Sequence, residues 1–411
     1  MARAAKPGSC RIPPSHLTRL PSGSRRPATL VAPIYPDPVT EIVGGRIIVD
    51  DRILAGRIHI EDETIVGVEP DEAEAAGPLL AAGFVDVHVH GWGGYDAMGT
   101  SAELDGMARA LLRRGVTSFL PTAVTASLPD LAAFSGRVRE WLPTAPRDGA
   151  QPLGFNIEGP FMSPARRGAH DPAWIRQPAA VDRASLEPLL DGLRLMTVAP
   201  ETPGAVGLIR WLRGRGVTVS AGHSAAGLDD AQTGYAAGAS STTHLFNAMS
   251  GIDHHTPGLA VAALTADDVY VELIADGHHV HPALWPIITR TKPADRLLLV
   301  SDALALAGTG VLHGVIGSLE VAVDADRCTL RSTGALAGSL IALDSAVRNL
   351  VRSGVALPFA VTAASRNPAT LIGAGDRGRL ATGQRADIVE LSEDLAVQRV
   401  MRGGQWLAAG S

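Results

Sequence analysis

Short runs of β-branched and apolar residues recur from residue 84 onward, each followed by turn residues and an Ala-, Leu- and Arg-rich stretch with helical spacing. Eight such runs occur: FVDVHV (84–89), VTSFLP (116–121), LGFNIEG (153–159), LRLMTVAP (193–200), VTVSAG (217–222), ASSTTHL (239–245), VYVELIAD (269–276) and LLLVSD (297–302). This alternation predicts a (β/α)8 TIM barrel, whose functional residues lie at the carboxyl ends of the strands. A doubly wound sheet is the alternative, but it usually stops at about six strands.

Both flanks of this region have a different pattern. Residues 41–69 and 376–408 alternate apolar and polar positions between glycine or acidic turns, as antiparallel strands do. We therefore predict a small β-sandwich domain built from both chain ends, at residues 41–80 and 365–411, and a barrel at 81–364. Residues 1–40 are predicted to be a flexible leader, since they lack the apolar core of a secretory signal.

Charge and composition narrow the class of partner. The 411 residues carry a formal net charge of -6 and contain no basic run, which argues against nucleic acid or an anionic membrane surface as the main partner. No apolar stretch approaches the ~20 residues needed to span a bilayer. The two cysteines, Cys10 and Cys328, have no CxxC spacing, which suits a reducing cytoplasm. We expect a cytoplasmic protein that acts on a small molecule.

A His-x-His pair ends the first predicted barrel strand. Side chains two apart on a strand share a face, so His88 and His90 project together just before a GWGG turn. Four further polar residues fall at strand ends on the same predicted rim: Glu158, His223, His244 and Asp302. Imidazole with carboxylate is a ligand set for zinc or iron, so we predict a site for a divalent metal, with one or two ions.

Structural roles are the alternative for each of these residues. His223 could cap the following helix, and His244 could be a buried histidine with satisfied hydrogen bonds. Glu158 and Asp302 are harder to explain in this way, because a carboxylate that ends a buried strand costs several kcal/mol unless it is paired or metal-bound. Asp302 could also deprotonate a metal-bound water and later protonate a leaving amine.

Several motifs together resemble the N-acetylglucosamine-6-phosphate deacetylase family of the amidohydrolase superfamily. They are, in chain order, HVH, EGPF, RRGAH, AGHS, THLFNAM, IADGHHV, VSDA and LAGS, followed by SRNPA and GRLATGQRADIVEL. The resemblance runs from about residue 41 to the end of the chain. HxH alone would indicate only the superfamily, whereas EGPF, THLFNAM and ADGxHV together are specific.

This resemblance implies a role for each matching residue. Glu158, His223 and His244 resemble primary metal ligands, and His88 and His90 resemble ligands of a second ion. Asp302 matches the catalytic acid and base, and His170 matches the histidine that polarises the acetyl carbonyl. The implied substrate contacts are Ala169, His170, Asn247, Ala248, His255, Asp276, His279, Leu336 and Ala337. The implied substrate is an amino-sugar phosphate, and the implied assembly is a homodimer.

Two positions depart from the family pattern. Members usually have an arginine after the NAM motif that reaches the substrate phosphate across a dimer interface, whereas this chain has His255 there. A neutral histidine offers phosphate one donor, and arginine offers a bidentate fork, so the phosphate requirement is open. Arg166 or Arg167 could compensate, although a solvated loop is the alternative for both. Asn156 stands where histidine is expected.

Other functions remain as alternatives. Cyclic-amide hydrolases such as dihydroorotase and hydantoinase bridge two metals with a carboxylated lysine at a barrel strand end, but the only lysines are Lys6 and Lys292, which the pattern puts elsewhere. Deacetylases of N-acetylgalactosamine-6-phosphate or of an unphosphorylated amino sugar stay open. A non-catalytic sugar-binding barrel is a further alternative, and loss of Asp302 or of the ligands would signal it.

Overall fold

The computed structural model describes residues 40–407, and the predicted leader lies outside them apart from Thr40. The strands of this part are β1 (Thr40–Val49), β2 (Arg52–Glu61), β3 (Thr64–Pro70), β4 (Leu79–Ala82), β5 (Phe84–Val89), β6 (Gly91–Trp92), β7 (Tyr95–Asp96), β8 (Val116–Ala123), β9 (Gln151–Pro152), β10 (Phe155–Phe161), β11 (Leu193–Val198), β12 (Thr218–Ala221), β13 (Ser241–Thr242), β14 (Tyr270–Leu273), β15 (Leu297–Leu299), β16 (His313–Ile316), β17 (Leu319–Asp324), β18 (Arg327–Leu330), β19 (Ile388–Leu391), β20 (Val397–Arg402) and β21 (Gln405–Leu407).

The α-helices of the same residues are α1 (Ser101–Leu112), α2 (Leu128–Trp141), α3 (Ala205–Arg213), α4 (Leu228–Ala237), α5 (Leu259–Thr265), α6 (Trp285–Thr291), α7 (Leu343–Arg352), α8 (Leu357–Ala364) and α9 (Arg366–Leu371). Short 3-10 helices are Glu72–Glu74, Leu142–Thr144, Pro164–Arg166, Pro172–Trp174, Pro178–Ala180, Arg183–Leu189 and Pro282–Leu284. Within residues 40–407 no helix is both long and apolar enough to cross a membrane.

Eight parallel strands form a nearly closed barrel, which confirms the predicted fold. Their order is β15-β14-β13-β12-β11-β10-β8-β5, and each of the eight sequence runs supplies one strand. The first strand, β5, and the last, β15, are joined at their carboxyl ends, where the amide of Asp302 donates to the carbonyl of His88 at 2.8 Å. Every residue of β5, β8 and β10 is buried, as expected for parallel strands covered on both faces.

Helix α1 shows how the local sequence sets the helix that follows the first barrel strand. Thr100 and Glu103 form a capping box, in which each side chain accepts a hydrogen bond from the other residue's backbone amide. Leu104, Met107 and Leu111, at helical spacing, are fully buried against the barrel. Helix α1 is thus one of the helices that the helical spacing after each strand run predicts.

Both chain ends contribute to a second sheet, as predicted. It has seven strands in the order β21-β20-β19-β4-β1-β2-β3, with its own apolar core around Ile47, Ile58 and Ile388. Strand β4 leads directly into β5, so this sheet sets where the barrel begins. The boundaries predicted at 41–80, 81–364 and 365–411 stay predictions.

A three-stranded antiparallel sheet, β16-β17-β18, follows the last barrel strand and was not predicted. Two side-chain contacts tie it to the loops that surround the strand ends. The hydroxyl of Ser318 donates to Asp171 at 2.5 Å, and His278 Nε2 lies 2.9 Å from Asp326. The sheet therefore borders the rim where the predicted site residues lie.

Candidate active site

The predicted metal ligands and Asp302 lie together at the carboxyl ends of the barrel strands, and all are buried. His88 lies in β5 and His90 directly follows it, Glu158 lies in β10, and three residues follow later strands: His223 after β12, His244 after β13 and Asp302 after β15. Burial of six ionisable side chains in one place is expected only where they are paired with one another or bind an ion.

Three of these residues have backbone geometry that is uncommon for residues other than glycine. The φ angles of His223, His244 and Asp302 are 47°, 26° and 50°. Such left-handed conformations are strained, and they persist where the surrounding structure holds them, often at functional sites. Here they turn the chain at the strand ends so that the side chains point inward.

Glu158 lies at the centre of the cluster. Its Oε1 is 3.0 Å from His223 Nε2 and 2.9 Å from His244 Nε2, and these two nitrogens are 3.0 Å apart. The three atoms converge on one point, as ligands of one ion do.

The His-x-His pair forms the other side of the cluster with Asp302. His90 Nε2 lies 3.2 Å from Glu158 Oε2 and 3.2 Å from Asp302 Oδ1. His88 Nε2 lies 3.5 Å from Glu158 Oε1 and from Asp302 Oδ1. Two groups in the described chain have metal-ligand spacing: His88, His90 and Asp302, and Glu158, His170 and His223.

The outer nitrogens show which atoms of the histidines face the centre. His223 Nδ1 donates to the carbonyl of Arg166 at 2.9 Å, and His90 Nδ1 donates to the carbonyl of Thr122 at 3.1 Å. His88 Nδ1 donates to Glu272 at 3.0 Å. Neutral imidazoles pinned in this way present an unprotonated Nε2.

The lone pairs on these Nε2 atoms face the lone pairs of carboxylate oxygens. A cation between the two sets of atoms is needed to offset their repulsion. The donor set of imidazole nitrogens and carboxylate oxygens fits zinc or iron. The residues present therefore fit the metal that the sequence predicts.

His170 is held in the opposite orientation. The backbone amide of Thr125 donates to His170 Nδ1 at 3.2 Å, so Nε2 carries the proton and donates to Glu158 Oε2 at 3.1 Å. Although His170 has ligand spacing to Glu158 and His223, its inward nitrogen is a hydrogen-bond donor. It is suited to polarise a carbonyl oxygen.

The pKa values describe the metal-free cluster. Burial by itself would raise the pKa of both carboxyl groups, but the charges of His88, His170 and His223 hold that of Glu158 well below its usual range. A hydrogen bond to His90 and the charges of His88 and His90 lower the pKa of Asp302 to about 2. Burial disfavours a charged His90, yet its bonds to Asp302 and Glu158 raise its pKa to about 9, whereas burial lowers that of His223 to about 4. Without an ion, protons on part of the histidines supply the positive charge.

A cavity of about 290 Å³ opens onto the cluster. Of the predicted substrate contacts, those that line it are Ala169, His170, Asn247, Ala248, His279 and Leu336. Ala337 is fully buried beside it, and Asp276 lies behind His279, whose Nδ1 is 2.7 Å from the Asp276 carboxylate. His255 is exposed and is not among the lining residues. Its role as a substrate contact stays a prediction.

Two buried acids in the site were missed by the sequence analysis. Glu272 accepts hydrogen bonds from His88 Nδ1 and from the amide of His244, at 3.0 and 3.1 Å. Asp86 accepts from the amides of His88 and Ser301, both at 3.3 Å, and burial raises its pKa to about 6. The sequence does contain a signal for both, since each is an acidic residue inside an apolar strand run. Asp86 also lies two residues before His88, so both side chains share one face of the strand.

Hydrogen bonds account for Asn156, which departs from the family pattern, and for Lys292. The side-chain amide of Asn156 donates to the carbonyl of Val87 and to Thr122, at 3.3 and 3.4 Å, below the ligands. Lys292 is bound to the carbonyls of Ala263 and Ala266 at the end of α5, at 3.0 and 2.5 Å. It therefore cannot bridge two ions as a carboxylated lysine.

Comparison with known proteins places these features in context. The amidohydrolase family profile matches residues 79–407. The N-acetylgalactosamine-6-phosphate deacetylase of Escherichia coli O157:H7 is 37% identical over 359 residues, which cover 85% of this chain and 94% of that protein. The N-acetylglucosamine-6-phosphate deacetylase of Danio rerio is 34% identical over 400 residues, which cover 90% of this chain and 96% of that protein.

Solved structures agree with the sequence relatives. A mutant of the N-acetyl-D-glucosamine-6-phosphate deacetylase of Mycobacterium smegmatis, solved in complex with N-acetyl-D-glucosamine-6-phosphate, matches with a TM-score of 0.83 and 33% identity, over 90% of this chain and 99% of that one. These matches confirm the resemblance inferred from the motifs.

Proposed function

This chain belongs to the amidohydrolase family, and we propose that it hydrolyses the N-acetyl group of N-acetylglucosamine-6-phosphate to give acetate and glucosamine-6-phosphate. The observation that carries this proposal is the convergence of His223, His244 and Glu158 on one point, within 3.0 Å of one another, at the floor of a cavity. Relatives that cover most of the chain are deacetylases of amino-sugar phosphates.

Glu158, His223 and His244 would hold a zinc or iron ion, and His88 and His90 would hold a second one. When bound, such an ion supplies Lewis acidity, which makes water a nucleophile near neutral pH. Metal analysis tests the second site. One metal ion per chain, with the same value when His88 and His90 are both replaced by alanine, would contradict a second ion there.

Asp302 acts as the general base and then as the general acid. Its carboxylate is ionised, since its pKa is lowered to about 2, and Oδ1 faces the cluster 3.2 Å from His90 Nε2. It accepts a proton from the attacking water as the new C–O bond forms. It returns that proton to the sugar nitrogen as the C–N bond breaks, so the amine leaves neutral.

His170 stabilises the charge that develops on the acetyl oxygen. Its Nε2–H points at the cluster, because Nδ1 already accepts a hydrogen bond from Thr125. A hydrogen-bond donor that is already oriented stabilises the developing negative charge more than a donor that must reorient during the reaction.

N-acetylgalactosamine-6-phosphate is the second candidate substrate. The Escherichia coli relative, which is 37% identical, is named as a deacetylase of this sugar. The two sugars differ in the orientation of one hydroxyl group, so the same cluster could act on either.

The test measures acetate and free amine released by zinc- or iron-loaded protein from each phosphorylated sugar and from unphosphorylated N-acetylglucosamine. We expect equal amounts of acetate and amine, with N-acetylglucosamine-6-phosphate giving the highest kcat/KM. Preference for the galactosamine sugar would select the second candidate. No release from any of the three would contradict the deacetylase proposal, and binding without release would favour the sugar-binding barrel.

Homodimer formation and a cytoplasmic location stay predictions. The dimer rests on the family resemblance alone. Light scattering of the purified chain would measure its mass directly.

A further inference from the structure

One arginine is among the residues that line the cavity. Among the described residues around it, the acids are Glu158 and Asp302, and Arg166 is the only lysine or arginine. The cavity therefore has a floor of histidines and two carboxylates, where the predicted metal ligands lie, and a single permanent positive charge, because a guanidinium stays protonated at physiological pH.

The backbone of Arg166 is hydrogen-bonded to one of the candidate metal ligands. Arg166 ends the 3-10 helix Pro164–Arg166, its amide donates to the carbonyl of Ser163 at 2.9 Å, and its carbonyl accepts from His223 Nδ1 at 2.9 Å. The position of its Cα is thus tied to a predicted metal ligand.

The guanidinium itself is free to bind a ligand. Arg166 is exposed, and no ion pair or hydrogen bond joins its side chain to another residue of the part that the structure describes. An arginine that faces a cavity without an acidic partner is available for an anion from solution.

We propose that Arg166 binds the phosphate group of the substrate, and this inference rests on the proposed function. A phosphate monoester is the anion that the proposed substrate carries, and a guanidinium binds it with two parallel, charge-assisted hydrogen bonds. The amide to be cleaved then lies toward the predicted metal ligands on the floor, and the phosphate lies toward the positive charge of Arg166.

Arg167 provides a matched control. It is the next residue in the same loop and is also exposed, but it does not line the cavity. If the loop's charge acted only through long-range attraction, the two arginines would have similar effects.

The experiment compares Arg166→Gln, Arg166→Lys and Arg167→Gln with the unmodified chain, all loaded with metal. For each, kcat/KM is measured for N-acetylglucosamine-6-phosphate and for N-acetylglucosamine, and inhibition is measured with glucose 6-phosphate and with glucose. Metal content is determined as well, so that a variant with a disturbed cluster is recognised.

In Arg166→Gln we expect the preference for the phosphorylated sugar to fall by about ten- to a hundredfold, mainly through KM. Inhibition by glucose 6-phosphate should weaken in parallel, Arg166→Lys should keep part of the preference, and Arg167→Gln should keep it within about twofold. An unchanged preference in Arg166→Gln, or an equal loss in Arg167→Gln, would overturn the inference while leaving the proposed function intact. Failure of the unmodified chain to release acetate from any phosphorylated sugar would overturn both.

Discussion

Glu158 and His170 show how single hydrogen bonds separate residues of the same site into different roles. Glu158 faces five imidazoles. His88, His90 and His223 donate from Nδ1 on their far sides, so their inward Nε2 needs no proton. His170 must present a proton, because the amide of Thr125 donates to its Nδ1. The sequence predicted which residues meet, since parallel strand ends share a rim. It could not separate the roles by residue type, because Thr125 is 45 residues away along the chain.

Replacing Asp302 by asparagine should abolish proton transfer while leaving the metal in place. Asparagine has the same shape but cannot accept a proton, so we expect kcat to fall by about 10²- to 10⁴-fold. Steady-state kinetics measures the loss, and metal analysis of the same sample serves as its control. Retention of more than a tenth of the normal kcat would show that another group carries the proton.

Glu272 should act on metal affinity through His88. Glu272→Ala removes the acceptor of His88 Nδ1 and of the His244 amide, both buried, and such outer partners are typically worth about 10- to 100-fold in affinity. Glu272→Gln keeps one oxygen and should lose less. Competition with a chelating dye measures the affinity, and an alanine variant that binds metal as tightly as the unmodified chain would contradict this role.

Secondary-structure elements position the site through the turns at strand ends. All eight barrel strands were predicted, because short runs rich in β-branched residues, bounded by turn residues and helical stretches, favour buried strands. The sheet β16-β17-β18 was not, since its strands are short and half-exposed, as in β17, so their apolar residues form no clear run. This sheet brings Ile316 to the cavity, a contact that only the folded chain reveals.

Gly159 shows how tightly one strand end is packed. A Cβ there would lie 2.1 Å from Thr125 Oγ1, and its φ of 94° is strained for any other residue. We expect Gly159→Ala to lower the free energy of unfolding by about 3 kcal/mol or more and to reduce activity, because Thr125 also holds His170.

Gly375→Ala is the matched control for this substitution. A Cβ at Gly375 would meet nothing within 4 Å, so the change should stay within about 0.5 kcal/mol. Denaturant unfolding of both variants gives the comparison. Equal stability of the two variants would show that the backbone of β10 at Gly159 tolerates a side chain.

The whole molecule should respond to pH differently with and without metal. In the metal-free chain, burial opposes a charge on His90, but bonds to Asp302 and Glu158 raise its pKa from 6.5 to about 9. A raised pKa means that this proton stabilises the fold fully below pH 6.5, and that the stabilisation is lost as the pH rises to about 9. A bound ion must displace that proton, so its affinity should weaken as the pH falls.

Denaturant unfolding of the chelated chain at both ends of that pH range tests this. We expect lower stability at the higher pH, and we expect His90→Gln to flatten the difference. A chelated chain that becomes more stable across this range, with His90 intact, would contradict the proposed charge balance.

The central claim is that the buried cluster cleaves an N-acetyl group only when it holds a metal ion. The most direct measurement is acetate release from N-acetylglucosamine-6-phosphate by chain that has been stripped with a chelator and then titrated with zinc. We expect no release from the stripped chain, and release that rises with bound zinc and saturates at one or two ions per chain. Full activity in the stripped chain, or zinc binding without any acetate, would contradict it.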